Sequence, residues 1–178
     1  MILSATIHGG YRRGTTTAQI DALITEIMTT LDGGDPWTYT DCGETASLYF
    51  AEEPLTAETF AEPPFTWSAT HELVVSVNRA TGFGTLRWDT EFVSTNPTPP
   101  GSPAVIGDPY VPYWYHPRYA IPLPQVALAI REFCAAQGAR PANVAWSDDG
   151  AHHERLYLST DEYRNIAIRS AEPTKDTR

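Results

Sequence analysis

Between Ile2 and Ile7 the chain alternates, with Ile2, Ser4 and Thr6 on one side and Leu3, Ala5 and Ile7 on the other. This two-residue period predicts a strand with one buried face. Gly9-Gly10 signals a turn and Tyr11–Arg13 a short return strand. The period then changes to that of a helix, because Ile20, Leu23, Ile24, Ile27, Met28 and Leu31 recur on one face. Thr16-Thr17-Ala18-Gln19 supplies the start, a capping box in which a Thr hydroxyl and the Gln side chain satisfy backbone donors left over at a helix start. Gly33-Gly34 supplies the stop, and the apolar face belongs to the core.

Further along, Trp37–Thr40 and Ala46–Ala51 read as strands joined by a turn at Asp41–Glu44. Residues 53–66, interrupted by Pro54, Pro63 and Pro64, read as a loop. Glu72–Asn78 and Thr85–Thr90 read as two strands around the segment Ala80–Gly84, whose Gly82 and Gly84 suit positive φ or a bulge. Glu91–Thr95 continues as a strand or bulge. Residues 96–124 hold nine prolines, too many for a central strand, and carry Tyr110, Tyr113, Trp114, Tyr115 and Tyr119. A second helix starts near Pro124, faces inward with Val126, Ile130, Phe133 and Cys134, and ends at Gly138. Asn143–Trp146 reads as a last core strand, and Leu156–Leu158 with Ile166–Ile168 as an added hairpin or short elements. The order predicts an α+β fold: a single domain, a mostly antiparallel sheet with two packed helices and a long Pro/aromatic-rich loop. It spans residues 1–170, with a frayed tail at 171–178; a chain of 178 residues has the length for one such core.

Charge sharpens the expectation about partners. The net charge is −10, and residues 1–72 hold eleven acids against only Arg12 and Arg13. Such a field repels nucleic acid and anionic membranes and attracts basic partners, although acidity also serves solubility alone. Cys42 and Cys134 are too far apart to form a CxxC pair and read as reduced, structural residues. No signal peptide and no apolar run of membrane-spanning length is visible, so a cytoplasmic protein is expected.

Chemistry-bearing motifs are missing. A zinc deaminase needs HxE with a downstream PCxxC to hold its metal and move protons, and no CxxC occurs. His152-His153 resembles a metal pair only superficially, since adjacent side chains on a strand point apart. Gly82-Phe83-Gly84 lacks the third glycine of a dinucleotide loop. There is no HExxH, GxSxG or P-loop, and Asp148-Asp149 and Glu52-Glu53 read as solvated neighbours. The expectation is no cofactor, no metal and no catalysis.

Four stretches carry a resemblance. Val75–Trp88 (VSVNRATGFGTLRW) combines an aliphatic strand, an N-x-x-T-G-aromatic-G turn and a strand ending in Trp. Val93–Pro100 (VSTNPTPP) holds an Asn-Pro-x-Pro-Pro turn, and Gly107–Pro117 (GDPYVPYWYHP) an Asp-Pro, Pro and His segment. Ile121–Trp146 gives a Leu-Pro helix, a Glu-Phe-Cys end, an Arg-Pro turn and a closing Val-x-Trp strand. In this order they resemble the first-numbered family of bacterial polymorphic-toxin immunity proteins, often encoded beside deaminase toxins. The chain departs from that pattern at Thr95 and Pro117, where the family has acids. The resemblance implies a cytoplasmic antidote that binds a cognate toxin, of the nucleic-acid deaminase class, and blocks its active site. An acidic plug fits the basic groove such an enzyme presents.

On that reading the candidate toxin-binding residues are Phe83, Asp89, Glu91, Asp108, Tyr110, Tyr113, Trp114, Tyr115 and His116. Phe83 at the hairpin tip contacts a partner or packs locally. The Tyr110–His116 aromatics form a preorganised surface or merely cover the sheet edge. Asp89, Glu91 and Asp108 pair with toxin bases or are solvated. Trp88 and Trp146 are assigned to the core. Immunity against a nuclease toxin needs the same acidic plug, and a small hydrolase with an unrecognised site is the alternative from the enzyme class.

Overall fold

A computed structural model describes residues 1–31, 44–60, 63, 67–101, 103–108, 113–150 and 155–156, with Phe60, Asp108 and Leu156 described by backbone alone. In chain order the elements are β1 (Ile2–Ile7), β2 (Gly10–Gly14), α1 (Thr17–Thr30), β3 (Glu44–Ala51), β4 (His71–Asn78), β5 (Phe83–Trp88) and β6 (Phe92–Thr95). β7 (Ile106–Asp108), β8 (Tyr113–Tyr115), β9 (Ile121–Pro122), α2 (Leu123–Ala135), β10 (Ala145–Ser147) and β11 (Arg155–Leu156) complete them, with 3-10 turns at Ala57–Phe60 and Pro117–Tyr119. Strands β10, β6, β5, β4, β3, β1 and β2 lie side by side in that order, every pair antiparallel, and β9 adds to the free stretch of β5. The architecture is α+β, as the pattern of elements predicts.

Local chemistry explains the start. The β1–β2 turn is His8-Gly9, one residue earlier than expected, and both have positive φ (51° and 69°), as a two-residue hairpin loop requires. Helix α1 begins on the expected capping box: Thr16 Oγ1 accepts from Gln19 N at 3.3 Å, and Gln19 Oε1 accepts from Thr16 N at 3.2 Å. Leu23, Ile24, Ile27 and Leu31 are buried, with Ile20 and Met28 partly so. Its Gly33-Gly34 stop, the strand at Trp37–Thr40 and the turn through Asp41–Gly43 fall outside the described residues.

Both helices lie on one face of the sheet. There Leu3, Ala5 and Ile7, Leu48 and Phe50, Leu73, Val75 and Val77, and Leu86 meet the inward side chains of α1 and of α2, namely Val126, Ala129, Ile130, Phe133 and Cys134. Gly84 lets β4 and α2 approach β5 closely: a Cβ there would fall 2.6 Å from Ser76 O and 3.1 Å from Val126 Cγ2. No helix among the described residues is long and apolar enough to cross a membrane.

The second face carries a different layer. The segment expected to be a long loop contains β7, β8 and β9, and β11, β8 and β7 form a small antiparallel sheet. Val105, Tyr113, Tyr115, Tyr119 and Ala120 cluster there with Val93 of β6, and β7 packs against β3 and β4. Prolines are accommodated because they sit between these short strands or at their ends. The partner strand at Ile166–Ile168 and the tail at 171–178 lie outside the described residues.

Candidate functional site

The β4–β5 hairpin shows what the N-x-x-T-G-aromatic-G pattern does. Asn78 is buried, and its Oδ1 accepts from Ala80 N (3.0 Å) and Thr81 N (3.3 Å), while its Nδ2 donates to Ala104 O at 2.8 Å. Thr81 Oγ1 donates to Pro103 O at 2.6 Å, and Gly82 takes φ 77°. Asn96 acts alike, donating through Nδ2 to Ala120 O and accepting from Thr98 N. Ser94 Oγ accepts from Leu86 N at 3.0 Å and donates to Tyr119 O at 2.8 Å, filling the gap in the ladder between β6 and β9. These motif side chains hold turns and layers together.

The sequence-predicted site residues are not brought into one place. Phe83 is not at the tip, which is Arg79–Gly82; it opens β5 opposite Asn78 and Pro122, and its ring packs partly buried against the Val93–Tyr119 cluster. Tyr113, Trp114 and Tyr115 are only 4%, 2% and 2% exposed, which corrects the expectation of an aromatic surface loop. The physical reason is that this segment is the central strand of the small sheet, paired with β7 and β11, and Tyr113 and Tyr115 pack into the cluster with Val93 and Tyr119. Burial pushes the Tyr115 phenol well above its ordinary range, reinforced by Tyr113. His116 caps the 3-10 turn, with Nδ1 accepting from Arg118 N at 3.2 Å and its ring set edgewise to Tyr119. Asp108 ends β7, and Tyr110 lies outside the described residues, as do Cys42 and His152-His153.

Asp89 and Glu91 stand at the other end of β5, roughly 17 Å from Phe83 by strand rise. They belong to the β5–β6 turn, where Asp89 and Thr90 both adopt positive φ (46° and 59°) without being glycine. Asp tolerates that region, but two such residues in a row are held only by surrounding contacts. Here Asp89 Oδ1 accepts from Glu72 N at 2.6 Å, and Oδ2 lies 2.9 Å from His71 Nδ1. The His71 ring stacks on Trp88 (centroids 5.6 Å, planes 22° apart), and Trp88 Nε1 donates to Gly138 O at 2.9 Å. A Cβ on Gly138 would fall 2.8 Å from the Cβ of His71, so the end of α2 closes directly over the imidazole. Beyond Trp88, the Arg140 guanidinium sits 3.9 Å over the Phe92 ring. Glu91 is exposed, while its carbonyl accepts from Gly150 N at 2.9 Å. Nothing in the sequence pattern singled out His71 or Arg140 for this corner, because their partners are seventeen or more positions away.

A polar strip crosses the second face beside this corner. Tyr49 pairs with Glu72 across β3 and β4, and Arg87 follows on β5. Burial raises the Glu72 carboxyl above its ordinary range against the pull of Arg87, and burial likewise raises the Tyr49 phenol. At the rim Asp149 is held below the usual carboxylate range by hydrogen bonds from Ser147 and Tyr119, the latter at 2.7 Å, with Arg118 3.1 Å away. The Cys134 thiol is buried and pushed up to about 12, which leaves it without a nucleophilic thiolate at neutral pH. Among the described residues no three His, Cys, Asp or Glu side chains gather closely enough to hold a metal ion.

These features define an α+β protein of strongly acidic charge whose aromatic and polar motif residues build a framework and whose charged turn is held rigid at one corner. The chain belongs to the Imm1 immunity protein family, whose family model matches residues 8–148. That span runs from the β1–β2 turn to the residue after β10, well beyond the stretches that carry the sequence resemblance. Comparison with individually curated proteins finds no match.

Proposed function

We propose that this chain binds a cognate bacterial toxin domain, a nucleic-acid deaminase, in the cytoplasm and neutralises it by covering its active site. Membership of the immunity family over residues 8–148 is the observation that carries the reading, and it favours an inhibitor over a catalyst. The deaminase class follows from the resemblance to proteins encoded beside such toxins and from charge. An enzyme that grips a polyanion offers a basic groove, and a chain of net charge −10 is attracted to it. The contact surface includes the rigid turn bearing Asp89 and Glu91, since a preordered loop loses little entropy on binding. The complex buries on the order of 1,600 Å² or more.

The test is a deamination assay of the toxin domain encoded beside this chain, on DNA and on RNA, with the protein titrated in. Activity should vanish near one-to-one stoichiometry while an unrelated acidic protein has no effect. Undiminished deamination in the presence of excess protein would remove the deaminase reading and direct the search to a nuclease.

A further inference from the structure

Among the described arginines, Arg118, Arg140 and Arg155 each lie over an aromatic ring. Arg12 pairs with Glu26, Arg131 with Asp21 and Arg118 with Asp149. Arg140 is exposed, yet among the described residues its interactions are with rings: 3.9 Å over Phe92 and 5.8 Å over Trp88. The stacking orders the planar guanidinium without satisfying its five N–H donors. The platform beneath is only partly covered. Trp88 and Phe92 face each other across β5 and β6 with rings 5.8 Å apart, and both are only half-buried. Trp146 lies on the same sheet face, paired with Ser94 on the next strand, and is half-buried too. Helix α2 packs over β4, β5 and β9, and this end of the sheet is covered by the connection from α2 to β10 instead. Partly buried Trp and Phe under a stacked Arg have the composition of an interface hot spot. Exposed Glu91 and the strained Asp89-Thr90 turn stand beside it.

We propose that Arg140 on its Trp88–Phe92 platform is a binding hot spot for the toxin, taking a carboxylate or backbone carbonyl oxygen of the partner while Glu91 takes a basic side chain. This rests on the toxin-binding reading above and adds the surface and its chemistry. An ordered cation beside an exposed acid, on a chain of net charge −10, fits a basic partner carrying a matching acceptor.

The experiment measures association and dissociation rates of the intact chain with its adjacent toxin domain, for wild type, Arg140→Ala, Arg140→Lys and Glu91→Ala. Arg131→Ala, on the outer face of α2, is the control. Arg140→Ala should weaken binding at least about tenfold, mainly through faster dissociation. Arg140→Lys should recover little, because an ammonium lacks the planar stack and fork. Glu91→Ala should slow association and flatten its salt dependence. Hydrogen exchange of the complex should show protection at 88–92 and 139–142. A wild-type complex whose Arg140→Ala variant binds within about twofold, with no protection at those segments, would overturn this surface and leave toxin binding intact. Failure of the wild type to bind would overturn both.

Discussion

Glu72, Gly138 and Cys134 carry predictions that belong to single side chains. Burial raises the Glu72 carboxyl, so folding favours its protonated form. Its contribution is therefore present below the carboxyl's unfolded pKa and lost as pH rises through the folded one. Glu72→Gln, neutral throughout, should match or exceed wild-type stability at neutral pH and lose that advantage in acid, as denaturant melts at several pH values will report. Gly138 has φ 101° and no room for a methyl group against His71. Gly138→Ala should destabilise the fold by roughly 1–3 kcal/mol in urea unfolding and disturb the Asp89 turn beyond it. Cys134, its thiol pushed up to about 12, should resist iodoacetamide in the folded chain and react only on unfolding, read by mass mapping of the labelled peptide. What sequence misses at this scale is contact at long range. The place of His71 between Trp88, Asp89 and Gly138 depends on three elements meeting.

Elements were the most legible level. The capping box at Thr16–Gln19, the inward faces of α1 and α2 and the alternation in β1 all reflect short-range physics, so pattern alone locates them. Thr16→Ala should cost about 1 kcal/mol in thermal or urea unfolding, since it removes the acceptor for Gln19 N. The Pro-rich stretch was harder, because three-residue strands such as Tyr113–Tyr115 leave too short a period to read. Their burial comes from pairing and from the sheet beneath. Trp88 and Trp146 were assigned to the core, and they line its margin instead, each indole N–H donating to a backbone carbonyl (Gly138 O and Pro141 O). The motifs that carry the sequence resemblance, from Asn78 to Gly84 and at Asn96, hold turns in place. Recognition of the fold therefore reaches further than recognition of the contact surface.

At the scale of the whole molecule, the claim is that an acidic α+β framework presents one rigid, charged corner to a toxin. Of the residues named from the sequence as toxin contacts, Asp89 and Glu91 share the β5–β6 turn, whereas the aromatic segment at Tyr113–Tyr115 is interior. Long-range charge predicts association that slows as salt rises, an effect that replacing Glu91 should reduce. The most direct test is calorimetric titration of this chain with the toxin domain encoded beside it, repeated across ionic strengths. A one-to-one complex is expected, with Kd in the nanomolar range or tighter and an affinity that falls with added salt. The absence of any complex, at low salt and with both proteins folded, would contradict it.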